Sequence, residues 1–328
     1  MPDVSVIITA HNEESTIAEA IDSVLAQTFS NWELCIVNDG SSDRTGEIIE
    51  SYSERFPQIF FVNQQQLGLS AARNVGLSAT TGSLVQFLDA DDKLLPEKLQ
   101  NQVSFMQGNK NVAATYGLGR YFKNNQEVEV EYPLPEGTLL STLLVRNFIL
   151  INAALIKREV LNEVGGFKES SSSLFSIYGC EDWDFWLRLA IRGFQIECQN
   201  EIVVHNRWTG RNMSEDVLRM KRSYAWVLDE TLCDTQYLGP VRYVLWRMQR
   251  CYRFLDYLLS FSLEKTGSDT LAETDLVLRG KWGWCERSLF GAFSHSLRQA
   301  NYFEIQRIFW QNLARVIGKS YKPIARFL

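Results

Sequence analysis

The stretch QFLDADDKLLPEK, residues 86–98, ends an apolar run with three carboxylates in four positions, Asp89, Asp91 and Asp92. Neighbouring carboxylates repel one another, and burying them without partners is costly. Water or a cation must therefore stabilise this group at the point where a predicted strand ends.

Strand and helix patterns alternate upstream of this stretch. The β-rich runs cover residues 4–9, 32–37, 59–63 and 83–89. Helical patterns between them predict βαβ units and a mostly parallel sheet that helices cover on both faces. In such sheets, ligands bind outside the carboxyl ends of the strands. Polar and acidic residues follow three of these strands, in TAHNEE (9–14), NDGSSD (38–43) and DADD (89–92).

The motifs that the sequence contains and lacks limit the kinds of ligand that we expect at this edge of the sheet. No G-x-G-x-x-G follows the first strand, and no G-x-x-x-x-G-K-[ST] occurs, so a dinucleotide cradle and a P-loop are both disfavoured. A D-x-D at a strand end suits Mg²⁺ or Mn²⁺, which takes oxygen ligands and completes its shell with water and substrate phosphates. The sequence therefore predicts a divalent cation and a diphosphate at this edge.

Composition indicates a globular protein of 328 residues with a net charge of −6. The charge is uneven: residues 215–328 hold 17 Lys and Arg against 12 Asp and Glu, so the acidic excess lies in the first 214 residues. The six cysteines include no C-x-x-C pair and are expected to be reduced thiols. The sequence contains no run of 18 apolar residues, so we expect no membrane-spanning helix. We also expect no signal peptide.

Seven segments, in this order, resemble the family 2 inverting glycosyltransferases, which have the GT-A fold. They are VSVIITAHNEE, WELCIVNDGSSDRT, GLSAARNVGL, VQFLDADD, INAALIKREVLNEVGGFKE, CEDWDFWLRLA and VVHNRWTGRNMS, and they span about residues 3–214. The resemblance implies an α/β fold with a GT-A-type, mostly parallel twisted sheet flanked by helices. It also implies a catalytic domain at 1–214, with a nucleotide-sugar half at 1–92 and an acceptor half at 93–214. A mainly helical C-terminal region at 215–328 would follow.

The resemblance also assigns the donor site. Glu13 and Asp39 would hold the uracil and ribose of a UDP-sugar, beside Ala10 at the end of the first strand. Carboxylates can accept hydrogen bonds from such N–H and hydroxyl groups. For Glu13, stabilisation of a first helical turn is a second reading. Arg73 would reach the diphosphate or lie exposed on a helix, and Asp89 would touch the ribose or the metal.

For the metal, the resemblance implies Mn²⁺ or Mg²⁺ with Asp91 as the direct ligand. His205 either completes this shell or is an ordinary residue at a strand end. Asp92 either supports the site from behind or caps a helix that begins at Leu94.

The segment GCEDWDFWLRLAIRG, residues 179–193, predicts a helix with Glu181 and Asp182 in its first turn. Two acids there commonly stabilise the helix dipole. In the family this pair supplies the base, so the resemblance implies Asp182 as the base and Glu181 as an acceptor-binding or orienting group. Gly165 and Gly166 would lie near the acceptor or form a structural turn. Trp183 offers a stacking surface for a sugar or packs in the core.

These features predict an inverting, metal-dependent transferase that moves a hexose from a nucleoside diphosphate sugar to a saccharide or lipid-linked acceptor, in polysaccharide or glycoconjugate assembly. The alternatives are a nucleotidyltransferase and a sugar-nucleotide-binding protein without transfer activity. No nucleic-acid partner is expected, and the expected location is the cytoplasm.

The C-terminal tail suggests a membrane contact. After Glu304 it contains five basic residues and no acidic ones, and apolar residues from Ile305 to Ile317 fall on one helical side. A basic, aromatic-rich helix suits the surface of an anionic membrane. The other reading is that this face packs against the protein's own helices.

Overall fold

The computed structural model describes residues 1–123, 126–128, 139–169, 179–209 and 212–230, together with six isolated positions between 246 and 257. The chain divides into two compact units, Met1–Gln249 and Arg250–Leu328. The fold and site below belong to the first unit. The domain boundary predicted after residue 214 stays a prediction, and the tail from residue 304 lies outside the described residues.

Nine strands and eight helices form the described part of the chain. The strands are β1 (Val4–Ala10), β2 (Trp32–Asp39), β3 (Ile59–Gln64), β4 (Leu84–Asp89), β5 (Lys93–Leu94), β6 (Val112–Lys123), β7 (Gln126–Val128), β8 (Ala154–Lys157) and β9 (Gln195–Arg207). The helices are α1 (Ile17–Leu25), α2 (Thr45–Arg55), α3 (Leu69–Ala79), α4 (Lys98–Gly108), α5 (Leu139–Val145), α6 (Arg158–Val164), α7 (Glu181–Ile191) and α8 (Val217–Glu230). Short 3₁₀ turns occupy Ile151–Ala153 and Met213–Glu215.

The described strands join one sheet in the order β3-β2-β1-β4-β8-β6-β9-β5, and β7 pairs with β6. The pairs among β1, β2, β3 and β4 are parallel, as is β6 with β9. β8 runs antiparallel between β4 and β6, and the short strands β5 and β7 pair antiparallel with β9 and β6. The prediction of a mostly parallel sheet built from βαβ units is confirmed.

The strand order reverses at β1, and this reversal positions the site. β2 and β3 lie on one side of β1, whereas β4 lies on the other. A crevice opens at the carboxyl ends of strands at such a switch point. Ala10, Asp39 and Asp89 end β1, β2 and β4, and β9 ends at the same edge with Arg207.

Helices cover both faces of the sheet because adjacent strand residues point to opposite faces. In β1, Val4, Val6 and Ile8 pack into one core with apolar residues of α1, α2 and α4. Ile7 packs into the other core, which α5, α6, α7 and α8 complete. The apolar run of β1 is thereby buried on both sides, as expected for a parallel sheet.

The helix predicted to begin at Leu94 begins instead at Lys98, so the capping role considered for Asp92 is wrong. Leu94 belongs to β5, which pairs with β9, and the N–H of Leu95 donates to the carbonyl of Val203 (3.0 Å). Pro96 explains the difference, because a proline disfavours helical backbone at the preceding residue.

Two further sequence expectations concern the state of the cysteines and the presence of a membrane-spanning helix. Of the described cysteines, Cys35 and Cys180 are buried free thiols and Cys198 is a partly buried one. In the part of the chain that the structure describes, no helix combines the length and apolar character needed to cross a membrane.

Candidate active site

The DADD turn after β4 holds its carboxylates in different surroundings. Asp92 is buried, whereas the side chain of Asp89 is one-third exposed. Burial, together with the charges of Asp91 and Asp89, raises the pKa of Asp92 well above its usual range. Asp92 is therefore an internal anchor, and Asp89 keeps an accessible face for a ligand.

Asp92 connects three segments through hydrogen bonds. Its Oδ2 accepts from the side-chain amides of Asn152 (2.5 Å) and Asn206 (2.7 Å), and its Oδ1 accepts from the backbone N–H of Arg207 (2.7 Å). Buried polar groups are stable only when they are paired in this way. The end of β9 is thus attached to the turn that carries the carboxylates.

Asp91 lies among other acidic groups, and the nearby Arg207 offsets part of their charge. Burial, followed by the charges of Asp89 and Glu13, raises the pKa of Asp91 to about 7. Among the residues with assigned positions, no three or more His, Cys, Asp and Glu form a metal cage. Mg²⁺ and Mn²⁺ commonly need only one or two carboxylates, with water and phosphates as the other ligands. Asp89 and Asp91 offer oxygen ligands of the kind that such a cation takes.

Arg73 joins the end of β4 to the start of α7. The arginine is 2% exposed; its Nη2 donates to Asp89 Oδ1 (2.9 Å) and its Nη1 to Glu181 Oε1 (2.5 Å). Its guanidinium also lies 5.3 Å from the centroid of the Phe167 ring. The reading of Arg73 as an exposed surface residue is wrong, and in this structure its two terminal nitrogens are both engaged by carboxylates.

Asp182 is held at the start of α7 by two donors. The side-chain amide of Asn147 donates to Oδ2 (2.9 Å), and the backbone N–H of Trp183 donates to Oδ1 (2.6 Å). Burial, followed by the charge of Glu181, raises the pKa of Asp182 to about 7, although Arg73 and both hydrogen bonds act in the opposite direction. A carboxylate with a pKa near neutrality is suited to accept a proton.

At the end of β2, the carboxylate of Asp39 organises the loop that precedes α3. It accepts hydrogen bonds from the backbone N–H groups of Leu67 (2.8 Å) and Gly68 (2.9 Å) and from the amide of Gln64 (2.7 Å). The Nδ1 of His11 lies 2.8 Å from the carbonyl oxygen of Asp39, so we assign the proton to that nitrogen. These contacts bring the ends of β1, β2 and β3 together.

Glu13 precedes α1, which begins at Ile17, and does not lie in the first helical turn. The hydroxyl of Thr16 donates to its carboxylate (2.7 Å), and its backbone N–H donates to Thr45 Oγ1 (2.8 Å). Burial raises the pKa of Glu13, and the charge of Asp89 acts in the same direction. Glu13 therefore adds to the negative potential at the edge of the sheet.

His205 and Asn206 occupy adjacent positions on β9 and have different neighbours. The His205 ring lies 4.6 Å from the Phe122 ring, and burial and the charges of Lys93 and Arg120 lower its pKa. It is Asn206 that reaches Asp92. The metal role of His205 stays a prediction.

The residues predicted near the acceptor have clear structural roles. Gly165 (φ +92°) ends α6, and Gly166 (φ +61°) lies where a Cβ would come within 2.6 Å of Asn74 Oδ1. The Trp183 ring is 1% exposed and its Nε1 donates to the carbonyl of Leu143 (2.7 Å). The burial favours core packing for Trp183, and acceptor contacts by all three residues stay predictions.

Three asparagines that contact the carboxylates were not predicted from the sequence to do so. Asn152 and Asn206 bond Asp92, and Asn147 bonds Asp182. A signal existed for Asn152, which interrupts the apolar run FILINAALI at 148–156. A polar residue in such a run is buried and needs a partner.

Comparison with known proteins identifies the family. The family model described as glycosyl transferase family 2 matches residues 5–165. The chain is 32% identical over 186 residues to WfgD of Escherichia coli, named as a UDP-Glc:alpha-D-GlcNAc-diphosphoundecaprenol beta-1,3-glucosyltransferase, across 57% of this chain and 69% of that protein. The chain belongs to glycosyl transferase family 2. In two other curated relatives, this family 2 chain matches only 33% and 18% of their length.

Solved structures show the same fold. S. aureus TarS, residues 1–349 in complex with UDP-GlcNAc, has a TM-score of 0.60 at 18% identity and covers 98% of this chain and 93% of that one. The mannosyltransferase PcManGT from Pyrobaculum calidifontis, in complex with GDP-Man and Mn²⁺, has a TM-score of 0.59 at 18% identity, with 98% and 88% covered. The predicted family and the predicted GT-A-type fold are confirmed.

Proposed function

We propose that this family 2 protein transfers a sugar, with inversion, from a UDP-sugar to a hydroxyl of a saccharide or lipid-linked acceptor. The observation that carries the proposal is the link through Arg73 between Asp89, at the switch-point edge, and the Glu181–Asp182 pair on α7. That link supports a single site that combines a donor-side carboxylate with the candidate base Asp182, which is next to Glu181. The UDP-GlcNAc complex of TarS and the lipid-linked substrate in the name of WfgD support the two substrate classes.

On the donor side, we assign Ala10, Glu13 and Asp39 to the nucleoside, at the ends of β1 and β2. Asp89 and Asp91 would hold Mn²⁺ or Mg²⁺, which would stabilise the charge of the departing diphosphate. The proximity of Asp91 to the charges of Asp89 and Glu13 supports this assignment, because a cation there would offset them. The binding of Mn²⁺ together with GDP-Man in PcManGT is a further support.

On the acceptor side, Asp182 accepts the proton of the acceptor hydroxyl as that oxygen attacks the anomeric carbon and the bond to the diphosphate breaks. Asn147 and the N–H of Trp183 fix the two carboxylate oxygens, so the base presents one orientation. Glu181 is occupied by Arg73, which gives it an orienting role. We place the reaction in polysaccharide or glycoconjugate assembly, in the cytoplasm, with the tail from residue 304 as the proposed membrane contact.

The test is a panel of UDP-, GDP- and dTDP-sugars incubated with the purified protein, with Mn²⁺ or with a chelator. We expect release of the nucleoside diphosphate from one donor, dependent on the cation. Release of pyrophosphate from a nucleoside triphosphate would support a nucleotidyltransferase instead. Donor binding without release in the presence of diverse acceptors would indicate a binding protein.

A further inference from the structure

Asn152 lies between two of the carboxylates at the end of β4. Its Nδ2 donates to Asp89 Oδ2 (3.1 Å) and to Asp92 Oδ2 (2.5 Å), and its Oδ1 accepts the backbone N–H of Asp89 (3.2 Å). The two N–H groups of one amide thus serve two carboxylates. The orientation of this amide is fixed, since only its nitrogen can donate to carboxylate oxygens.

The turn that carries Asn152 is itself held from inside the protein. Three consecutive carbonyl groups, those of residues 152, 153 and 154, each accept a hydrogen bond from a different buried side chain. The donors are Gln86 (2.8 Å), Gln102 (3.0 Å) and Lys98 (3.4 Å).

These three donors are joined to one another as well. Lys98 is 1% exposed and also donates to the side-chain oxygens of Gln86 and Gln102. The network fixes the backbone of the turn through a set of contacts that does not include the carboxylates. Asn152 is therefore presented to Asp89 from a rigid support.

We propose that Asn152 is the positioning residue of the cation and diphosphate site, holding Asp89 and Asp92 side by side in the arrangement that receives the donor. The inference rests on the proposed function. Without the amide, Asp89 loses its link to Asp92 and retains only Arg73 as a side-chain partner among the described residues. Partners that orient ligand carboxylates commonly contribute roughly 10–100-fold to metal affinity.

The experiment compares the full-length protein with its Asn152→Ala variant. Mn²⁺ binding is measured in the presence of UDP by the electron paramagnetic resonance signal of free Mn²⁺, and folding is followed by thermal unfolding. We expect roughly 10–100-fold weaker binding of Mn²⁺ with UDP by the folded variant. An Asn152→Ser variant retains one hydrogen-bond donor, so its loss of Mn²⁺ affinity should be intermediate. This variant replaces Asn152→Ala in the test if Asn152→Ala does not fold.

Asn109→Ala is the matched control, because Asn109 is exposed and its side chain bonds a local carbonyl, that of Phe105 (2.9 Å). It should change neither Mn²⁺ binding nor unfolding. A folded Asn152 variant with lower thermal stability but unchanged Mn²⁺ affinity would overturn the inference alone, since its role would be structural. Absence of Mn²⁺ binding in the unsubstituted protein would instead overturn the metal-dependent part of the proposed function, and the inference with it.

Discussion

Replacing Asp182 with asparagine should make the protein less active and more stable at the same time. If Asp182 is the base, Asp182→Asn should lower the transfer rate by roughly 10²–10⁴-fold, the usual contribution of a general base. This corresponds to roughly 3–5 kcal/mol of barrier height. UDP binding should be unchanged, because the proposed donor residues lie at or just after the ends of β1, β2 and β4, whereas Asp182 lies on α7.

The opposite effect on stability follows from the charge of this partly buried carboxylate. The pKa of Asp182 rises from 3.8 to about 7 on folding. Each unit corresponds to about 1.4 kcal/mol, so the charged form is disfavoured in the folded protein by up to about 4 kcal/mol. Because the folded pKa is the higher one, the stability from protonated Asp182 is present below about pH 4 and is lost as the pH rises through about 7.

Asparagine cannot ionise, so Asp182→Asn should unfold at a higher temperature than the unsubstituted protein at pH 8 and at a similar temperature near pH 4. The rate of UDP release by the unsubstituted protein should fall about tenfold between pH 8 and pH 6, as Asp182 becomes protonated. Glu159→Gln is the control, because that carboxylate is 79% exposed and lies on α6. A variant that releases UDP at a near-normal rate, or a profile that is flat down to pH 5, would refute the assignment and make Glu181 the next candidate.

The remaining predictions concern the cation, a backbone turn and the tail. Asp91→Asn should greatly weaken Mn²⁺-dependent binding of UDP in calorimetry while the fold persists; an unchanged affinity would contradict its role as ligand. Gly166→Ala should lower the unfolding temperature more than Gly193→Ala, because both glycines have positive φ but only at Gly166 would a Cβ meet a neighbour, Asn74 Oδ1 at 2.6 Å. Equal effects would show that backbone strain alone matters. The full-length protein should cosediment with anionic liposomes at low salt and a version ending at Asn301 should not; identical behaviour would make the tail structural.

The edge of the sheet that carries the site was predictable from sequence because two independent patterns agree there. The alternation of strands and helices predicts the parallel sheet, and the polar residues after β1, β2 and β4 mark its carboxyl edge. The first turn of α7 was equally predictable from the sequence, because Glu181 and Asp182 lie at the start of an apolar helical pattern. Local sequence patterns thus predict the strand end or helix start at which each carboxylate lies.

The pairing of these carboxylates was not predictable, because it depends on contacts between distant segments. Arg73 and Glu181 are separated by 108 residues, and Asp92 and Asn206 by 114. A single sequence has no pattern that brings such positions together. The predicted start of α4 was wrong for a local reason, since Pro96 disfavours helical backbone at the preceding residue even where the apolar pattern suits a helix.

The alternation along β9 has a consequence for how such a site can change. Neighbouring side chains leave a strand on opposite sides, so a shift of one residue exchanges every position between the two faces. Substitution at His205 alone cannot deliver a new group to Asp92, whereas an insertion or deletion of one residue upstream can. The β6–β9 pairing already contains register shifts, one of them between Tyr116 and Leu118. Two family members whose β-bulges differ can therefore have the same residue at an aligned position and yet present its side chain to different neighbours. A residue's role should be transferred between them only when its side chain points to the same face of the strand.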